Sequence, residues 1–272
     1  MGAFIGGVMY FTKAQMGYIK ISFNRIRNSA NPLKRLTDSL YGIWFATVFS
    51  CLSLVTVGII TVIPGQPRRR LIVRQGARLL LRLTGAWPNI SGLQHLPSHA
   101  SVIVANHASY LDGVLLTAVL PHRFQFVIKR EMTQVPLAHY FLRRIGAHFV
   151  DRSNARKGAT DARRIMQTAT NGGSLVFFPE GTFRREPGLR RFQNGAFTVA
   201  LRQGLPLIPL VITGTRAMLP AHSWLPRPAK LAVIIKQPLP MESTTDPNQA
   251  REECRQHILA ELNEPDLHAT IG

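Results

Sequence analysis

Short apolar runs alternate with helical segments across residues 89–240, and this alternation constrains the fold more than any other feature of the chain. The runs at 101–105, 124–128, 148–150, 174–178, 207–213 and 231–236 are brief and rich in Val, Ile, Leu and Phe. They read as buried strands. The segments at 112–120, 136–145, 156–170 and 194–203 read as helices, and Gly172-Gly173 and Gly204 stop two of them. Strands alternating with helices predict an α/β fold with a central, mostly parallel sheet flanked by helices. A last helix is predicted after Asp246-Pro247, with Asp246 as N-cap and Pro247 in the first turn.

Residues 1–88 differ in character. Positions 40–63 are an uncharged stretch of 24 residues. As a helix it would reach about 36 Å, against a hydrocarbon core of about 30 Å, which predicts an N-terminal membrane-associated helical segment. Lys34 and Arg35 precede it and Arg68-Arg69-Arg70 follow it, so the positive-inside rule selects no orientation. Both ends on one leaflet is the better account, and it predicts a shallow hairpin broken near Gly58. Arg70, Arg74, Arg78 and Arg82 recur every four residues among Leu, Ile and Val. That is the pattern of a basic amphipathic helix lying on an anionic membrane surface. The organisation expected is a basic membrane-anchoring region at 1–88 and an α/β domain at 89–272 that includes the C-terminal helix.

The net charge is +19, and the first 100 residues hold twelve Lys/Arg and a single acid, Asp38. An anionic partner follows, and membrane lipids fit better than nucleic acid, because the aromatics are not interleaved with the arginine runs. Cys51 and Cys254 are far apart, as expected of reduced thiols in a cytosol-facing protein. No metal is expected: the chain has no His-Glu-x-x-His or Cys-x-x-Cys, and Pro97 interrupts the His95–His99 pair.

Two clusters carry chemistry. Asn106-His107-Ala108-Ser109-Tyr110-Leu111-Asp112 directly follows the first strand of the alternating region. Positions five apart on one regular helix point about 140° from each other. His107 and Asp112 therefore meet only if His107 lies in a loop and Asp112 in the first turns of the next helix. Open α/β sheets keep their sites at such strand ends. A histidine, with a reference pKa near 6.5, can take a proton from a hydroxyl at neutral pH. The aspartate would fix its tautomer and stabilise the imidazolium. The chain has no Gly-x-Ser-x-Gly elbow, so direct attack by an acceptor is expected. The second cluster, Phe178-Pro179-Glu180-Gly181-Thr182-Phe183-Arg184-Arg185, again follows a strand. Gly181 permits close backbone approach, and Thr182, Arg184 and Arg185 offer donors to an anion.

These blocks resemble the glycerolipid acyltransferase family, of the 1-acylglycerol-3-phosphate acyltransferase type. The matching blocks, in order, are 106–112, 146–152, 178–182 and 207–215, with Lys129 also in pattern. The resemblance implies His107 as base and Asp112 as its partner. It implies Lys129, Arg152, Glu180, Gly181, Thr182, Arg184 and Arg185 at the acceptor and its phosphate, and Pro209 on the acyl-donor side. The donor would be acyl-CoA or acyl-carrier protein, the acceptor a lysophospholipid, and no cofactor is implied. The catalytic domain would face the cytoplasm. Two positions depart from the family: Phe183 stands where an arginine is common, and Asn194 where a lysine is common. Both remove a cation, so another lysophospholipid acceptor, or a transacylase, is an alternative. From another class, a non-enzymatic basic membrane-surface protein is the rival.

Overall fold

The computed structural model describes residues 32–151, 155–239 and 246–267, with side chains described outside 152–159. Two helices lead, α1 (Pro32–Val62) and α2 (Gln66–Leu83). The strands are β1 (Asn89–Ser91), β2 (Val102–Ala105), β3 (Phe124–Lys129), β4 (His148–Val150), β5 (Ser174–Phe177), β6 (Leu207–Thr213) and β7 (Ala232–Ile235). Between and after them lie α3 (Leu111–Val119), α4 (Pro136–Arg144), α5 (Ala155–Thr170), α6 (Gly195–Gln203), the short α7 (Thr215–Met218) and α8 (Pro247–Leu259).

The strands form one sheet in the order β1-β7-β6-β2-β5-β3-β4, parallel at every pairing except β6 with β7. The central strands are apolar at every position because both faces are covered. Ile103, Ala105, Val176, Ile208 and Leu210 meet α1, α2 and α3 on one face. Val102, Val104, Leu175, Phe177 and Val211 meet α5, α6 and α8 on the other. The expected α/β architecture is what the chain adopts. Every predicted strand and helix of the alternating region is present within a residue or two.

Topology places the site. From β2 the chain enters α3 on the first face, and from the neighbouring β5 it enters α6 on the second. Chains that leave adjacent strands to opposite faces open a crevice at the carboxyl ends of those strands. The two chemical clusters of the sequence begin there.

Three expectations need amendment. The edge strand β1 is not among the predicted strands. It has three residues with only Ile90 half-buried, too little for a period to register. Pro209 lies inside β6, where a central strand tolerates proline poorly. Its position is workable because the β6–β7 register slips by one between the Leu207–Leu239 bridge and the Leu210–Ile235 pair, and Lys236 N–H still reaches the Pro209 carbonyl at 2.9 Å.

The apolar stretch is not broken near Gly58. One helix of 31 residues runs from Pro32 through Val62, and the chain reverses after it, at Gly65 with φ +84°. The hairpin is made by α1 and α2, and Gly76 sits so close that a Cβ would lie 2.8 Å from Thr56 Oγ1. Phe45 and Val48 of α1 and Leu80 and Leu81 of α2 enter the core beside β2, while Leu54, Val55 and Ile59 of α1 stay exposed. This helix is long and apolar enough to cross a membrane. The arginine stripe of α2 does not form a freely solvated face. Arg74 Nε donates to the Leu120 carbonyl at 2.8 Å, Arg78 and Arg82 lie over Trp87, and Leu71, Leu79 and Leu83 are exposed along with Arg68 and Arg82. The predicted cap of α8 is present, with the Asp246 side chain accepting from Asn248 N–H at 3.1 Å.

Candidate active site

β2 ends at Ala105, and side chains take over from the strand ladder there. Asn106 imitates a strand residue: its Nδ2 donates to Ile212 O at 2.9 Å and its Oδ1 accepts Ile212 N–H at 2.7 Å. Ser109 Oγ donates to Leu219 O at 2.8 Å and accepts Leu111 N–H at 3.2 Å. Both residues are buried, so each polar atom must find a partner. Their bonds fix the loop that carries His107.

Asp112 lies in the first turn of α3 with its side chain fully buried. Its Oδ2 accepts from His107 Nδ1 at 2.8 Å, from Ala108 N–H at 2.7 Å and from Ser109 N–H at 2.9 Å. One oxygen thus organises the whole loop. An ionised carboxylate only accepts, so Nδ1 must carry the proton and Nε2 is left with the lone pair. The imidazole is 18 % exposed, stacked on Phe178 at 4.3 Å and met edge-on by Phe183 at 4.6 Å. Tyr110 packs on Phe183 from outside at 4.7 Å. The arrangement is an oriented base in an aromatic recess, able to deprotonate a hydroxyl.

Glu180, one turn beyond β5, closes the crevice from the other strand. Its Oε1 accepts His107 N–H at 2.7 Å and its Oε2 accepts Arg190 N–H at 3.0 Å. The carboxylate therefore clamps the loop after β2 to both ends of the β5–α6 connection. Burial pushes its pKa up to about 7, against the two N–H donors and the nearby His107 and Arg216, which pull it down. The raised value fixes the sign of its linkage to stability. The unfolded chain releases this proton near pH 4.5 and the folded chain near 7. The contribution is complete below the lower value and is lost as pH rises to the upper one. Relative to Glu180→Gln, the wild type should lose about 3 kcal/mol of unfolding free energy across that window. Denaturant melts of both proteins at about pH 4.5 and 7.5 check this, and a constant difference would refute it.

The remaining predicted residues distribute unevenly. Gly181 makes the turn with φ +77°, and the Thr182 carbonyl accepts from Arg190 Nη1 at 3.4 Å. Arg184 is exposed, and Arg185 half-buried beside it. Lys129 ends β3, on the same edge of the sheet, with Nζ 2.9 Å from Glu131 Oε1. Pro209 is buried within β6, opposite Val104 and short of that edge. Arg152 lies outside the described residues.

Several supports escaped the sequence. Arg216 Nη1 donates to the carbonyls of Arg184 at 2.6 Å and Glu186 at 2.9 Å, and the guanidinium pairs with Glu264. The buried Arg255 donates to the carbonyls of Leu189 and Arg190 and pairs with Asp266. Together they hold the loop bearing Arg190 from behind. Nothing in sequence spacing links these arginines to residues about 30 and 65 positions away. Asn106 and Ser109 did have a signal, as polar residues inside an otherwise apolar strand-to-helix passage.

The sequence profile of the acyltransferase family matches residues 88–213, which contain the whole crevice from β2 to β6. Over that stretch the chain is similar to this family. A chloroplastic 1-acyl-sn-glycerol-3-phosphate acyltransferase of Arabidopsis thaliana is 31% identical over 203 residues, 71% of this chain and 56% of the relative. A chloroplastic enzyme of the same description from Brassica napus is 29% identical over 204 residues, 71% of this chain and 58% of the relative. The chain thus spans just over half the length of these curated relatives. The crystal structure of the 1-acyl-sn-glycerophosphate acyltransferase of Thermotoga maritima shares the fold, with TM-score 0.71 at 17% identity, covering 84% of this chain and 96% of that one.

In this chain the two departures fall in different places. Phe183 lies against the imidazole itself. Asn194 is turned to α8, donating to Asn248 Oδ1 at 3.1 Å and accepting from Arg251 Nη1 at 2.7 Å.

Proposed function

We propose that the protein transfers a fatty acyl group from a thioester, acyl-CoA or acyl-carrier protein, to the free hydroxyl of 1-acylglycerol-3-phosphate, giving phosphatidic acid. The observation that carries this reading is the 2.8 Å bond from His107 Nδ1 to Asp112 Oδ2 at the carboxyl end of β2. Relatives named for this activity match the chain over 71% of its length. His107 Nε2 takes the hydroxyl proton as the oxygen attacks the thioester carbonyl. The tetrahedral intermediate then expels the thiolate, which receives the proton from the imidazolium. Asp112 stabilises the imidazolium while it exists. Lys129, Arg152 and the turn from Gly181 to Arg185 serve the acceptor's phosphate, and Pro209 the donor side. Glu180 acts through the loop it clamps. The exposed apolar flank of α1 seats the enzyme in the membrane, with the crevice on the cytoplasmic side.

A second reading has an observation of its own. Phe183 puts an aromatic ring, with no charge, beside the base. An acceptor with a headgroup other than a bare phosphate suits that surface, by acyl transfer from a thioester or from a phospholipid. An acceptor panel at fixed labelled acyl-CoA tests both. Preferred acylation of 1-acylglycerol-3-phosphate supports the first reading. Preference for a choline or ethanolamine lysophospholipid replaces it with the second. Transfer from phospholipid but not from acyl-CoA would identify a transacylase.

A further inference from the structure

A cleft unrelated to the crevice lies between α2, the last turn of α3, the start of β3 and the turn before β4. Arg70, Arg74, Thr117, Leu120, His122 and Gln125 are among the residues that line it. Its free volume is about 30 Å³, room for a compact polar group and far too little for an acyl chain. His107 stands at the opposite end of α3, about 14 Å away along the helix.

The cleft gathers positive charge, and among the described residues no acid lines it. Arg70 Nε and Nη1 are buried and meet no acceptor. Arg74, one turn on, commits Nε to the Leu120 carbonyl and no other nitrogen among the described residues. Arg78 follows after another turn, and its Nε is also buried without an acceptor. His148 adjoins Arg70: burial, and then the charge of Arg70, hold its pKa below the ordinary value. Among the described residues, every recorded ion pair joins side chains outside α2. Like charges four apart on a helix repel, and a buried guanidinium without an acceptor is costly. A fold that keeps such a cluster has a use for an anion there.

We propose that the Arg70–Arg74 cleft is a binding site for a phosphate group, presented by the headgroup of an anionic phospholipid. The planar fork of Arg70 matches two phosphate oxygens, and Arg74 adds a second cation from the same face of the helix. The lipid is favoured as the source because α2 packs along α1, whose Leu54, Val55 and Ile59 are exposed, and Leu71 of α2 is exposed as well. Apolar side chains of that kind enter the acyl region and bring neighbouring cations to headgroup depth. The site is independent of the acyl-transfer reading, since no acceptor or donor need occupy it.

The test uses the full chain in detergent and phosphatidylglycerol, a phosphodiester that is neither acceptor nor product of the proposed reaction. Arg70→Met keeps length and removes the charge. Arg68→Met removes one charge from an exposed position of the same helix. Phosphatidylglycerol, unlike phosphatidylcholine, should raise the melting temperature of wild type and of Arg68→Met but not of Arg70→Met. Flotation with phosphatidylglycerol vesicles should weaken at least about tenfold in Arg70→Met, the loss expected for a charge-assisted pair of bonds, and less than about twofold in Arg68→Met. Without lipid, Arg70→Met should melt at or above the wild type, because an uncompensated buried charge is gone. Equal losses in the two variants would leave only diffuse charge and overturn the site. A lower lipid-free melting temperature for Arg70→Met would make Arg70 a structural residue and overturn it too. If inorganic phosphate alone gives the Arg70-dependent gain, the phosphate site stands and its assignment to lipid falls. No arm reads acyl transfer, so failure here leaves the proposed function untouched.

Discussion

Replacing His107 with alanine is expected to lower acyl transfer by about 10²–10⁴-fold, the range that a positioned general base contributes. The substitution leaves the Glu180 clamp in place, because Glu180 binds the backbone N–H of residue 107 and not its ring. Asp112 likewise keeps its bonds from Ala108 and Ser109. The loop should therefore hold its shape, and the loss should fall on kcat with little change in melting temperature. Activity is measured with labelled acyl-CoA and 1-acylglycerol-3-phosphate beside a thermal melt. Full activity in a folded His107→Ala protein would end the base mechanism.

Asp112→Asn should cost nearly as much for a different reason. Oδ2 accepts three bonds, and Oδ1 is buried without a partner. If the amide oxygen takes the place of Oδ2, the loop is preserved and the amide nitrogen sits in the buried pocket without an acceptor. If the nitrogen takes that place, three donors face a donor and the loop opens. In either case the negative charge that steadies the imidazolium is gone. In serine-protease triads the same change costs about 10⁴-fold, so a loss of about 10²–10⁴-fold is expected here. Raising the pH should not rescue it, since the charge is absent at every pH. Activity within about threefold of wild type at neutral pH would show that His107 needs no carboxylate partner.

The two clusters were legible because each sits where a strand meets a helix, and apolar run, loop and periodic segment are local signals. His107 and Asp112 are close in sequence, so a single loop brings them together. Glu180 was legible as a residue but not as a clamp. Its partners, His107 and Arg190, lie 73 and 10 residues away, and only the adjacency of β2 and β5 makes the bridge. The stripe from Arg70 to Arg82 was legible as a period and was read as a face lying on an anionic membrane surface, while the bond from Arg74 to the Leu120 carbonyl was not legible. Period tells which residues share a side of a helix, not what that side meets.

The chain by itself determined the alternation, and with it a parallel sheet covered on both faces, because buried strands and helices differ in length and period. It placed His107 and Asp112 within reach of each other, because a five-residue spacing across a strand end lets a loop histidine meet a carboxylate in the next helix. Only the tertiary structure decided that β2 and β5 are neighbours with chains leaving to opposite faces. From that one fact follow the crevice, the clamp by Glu180 and the bracing by Arg216 and Arg255. It alone decided that α2 folds back along α1 and half-buries Arg70, Arg74 and Arg78 while Arg68 and Arg82 stay exposed. Strand order and helix facing are set by how the whole core packs, summed over contacts between distant residues, and no local period encodes that sum.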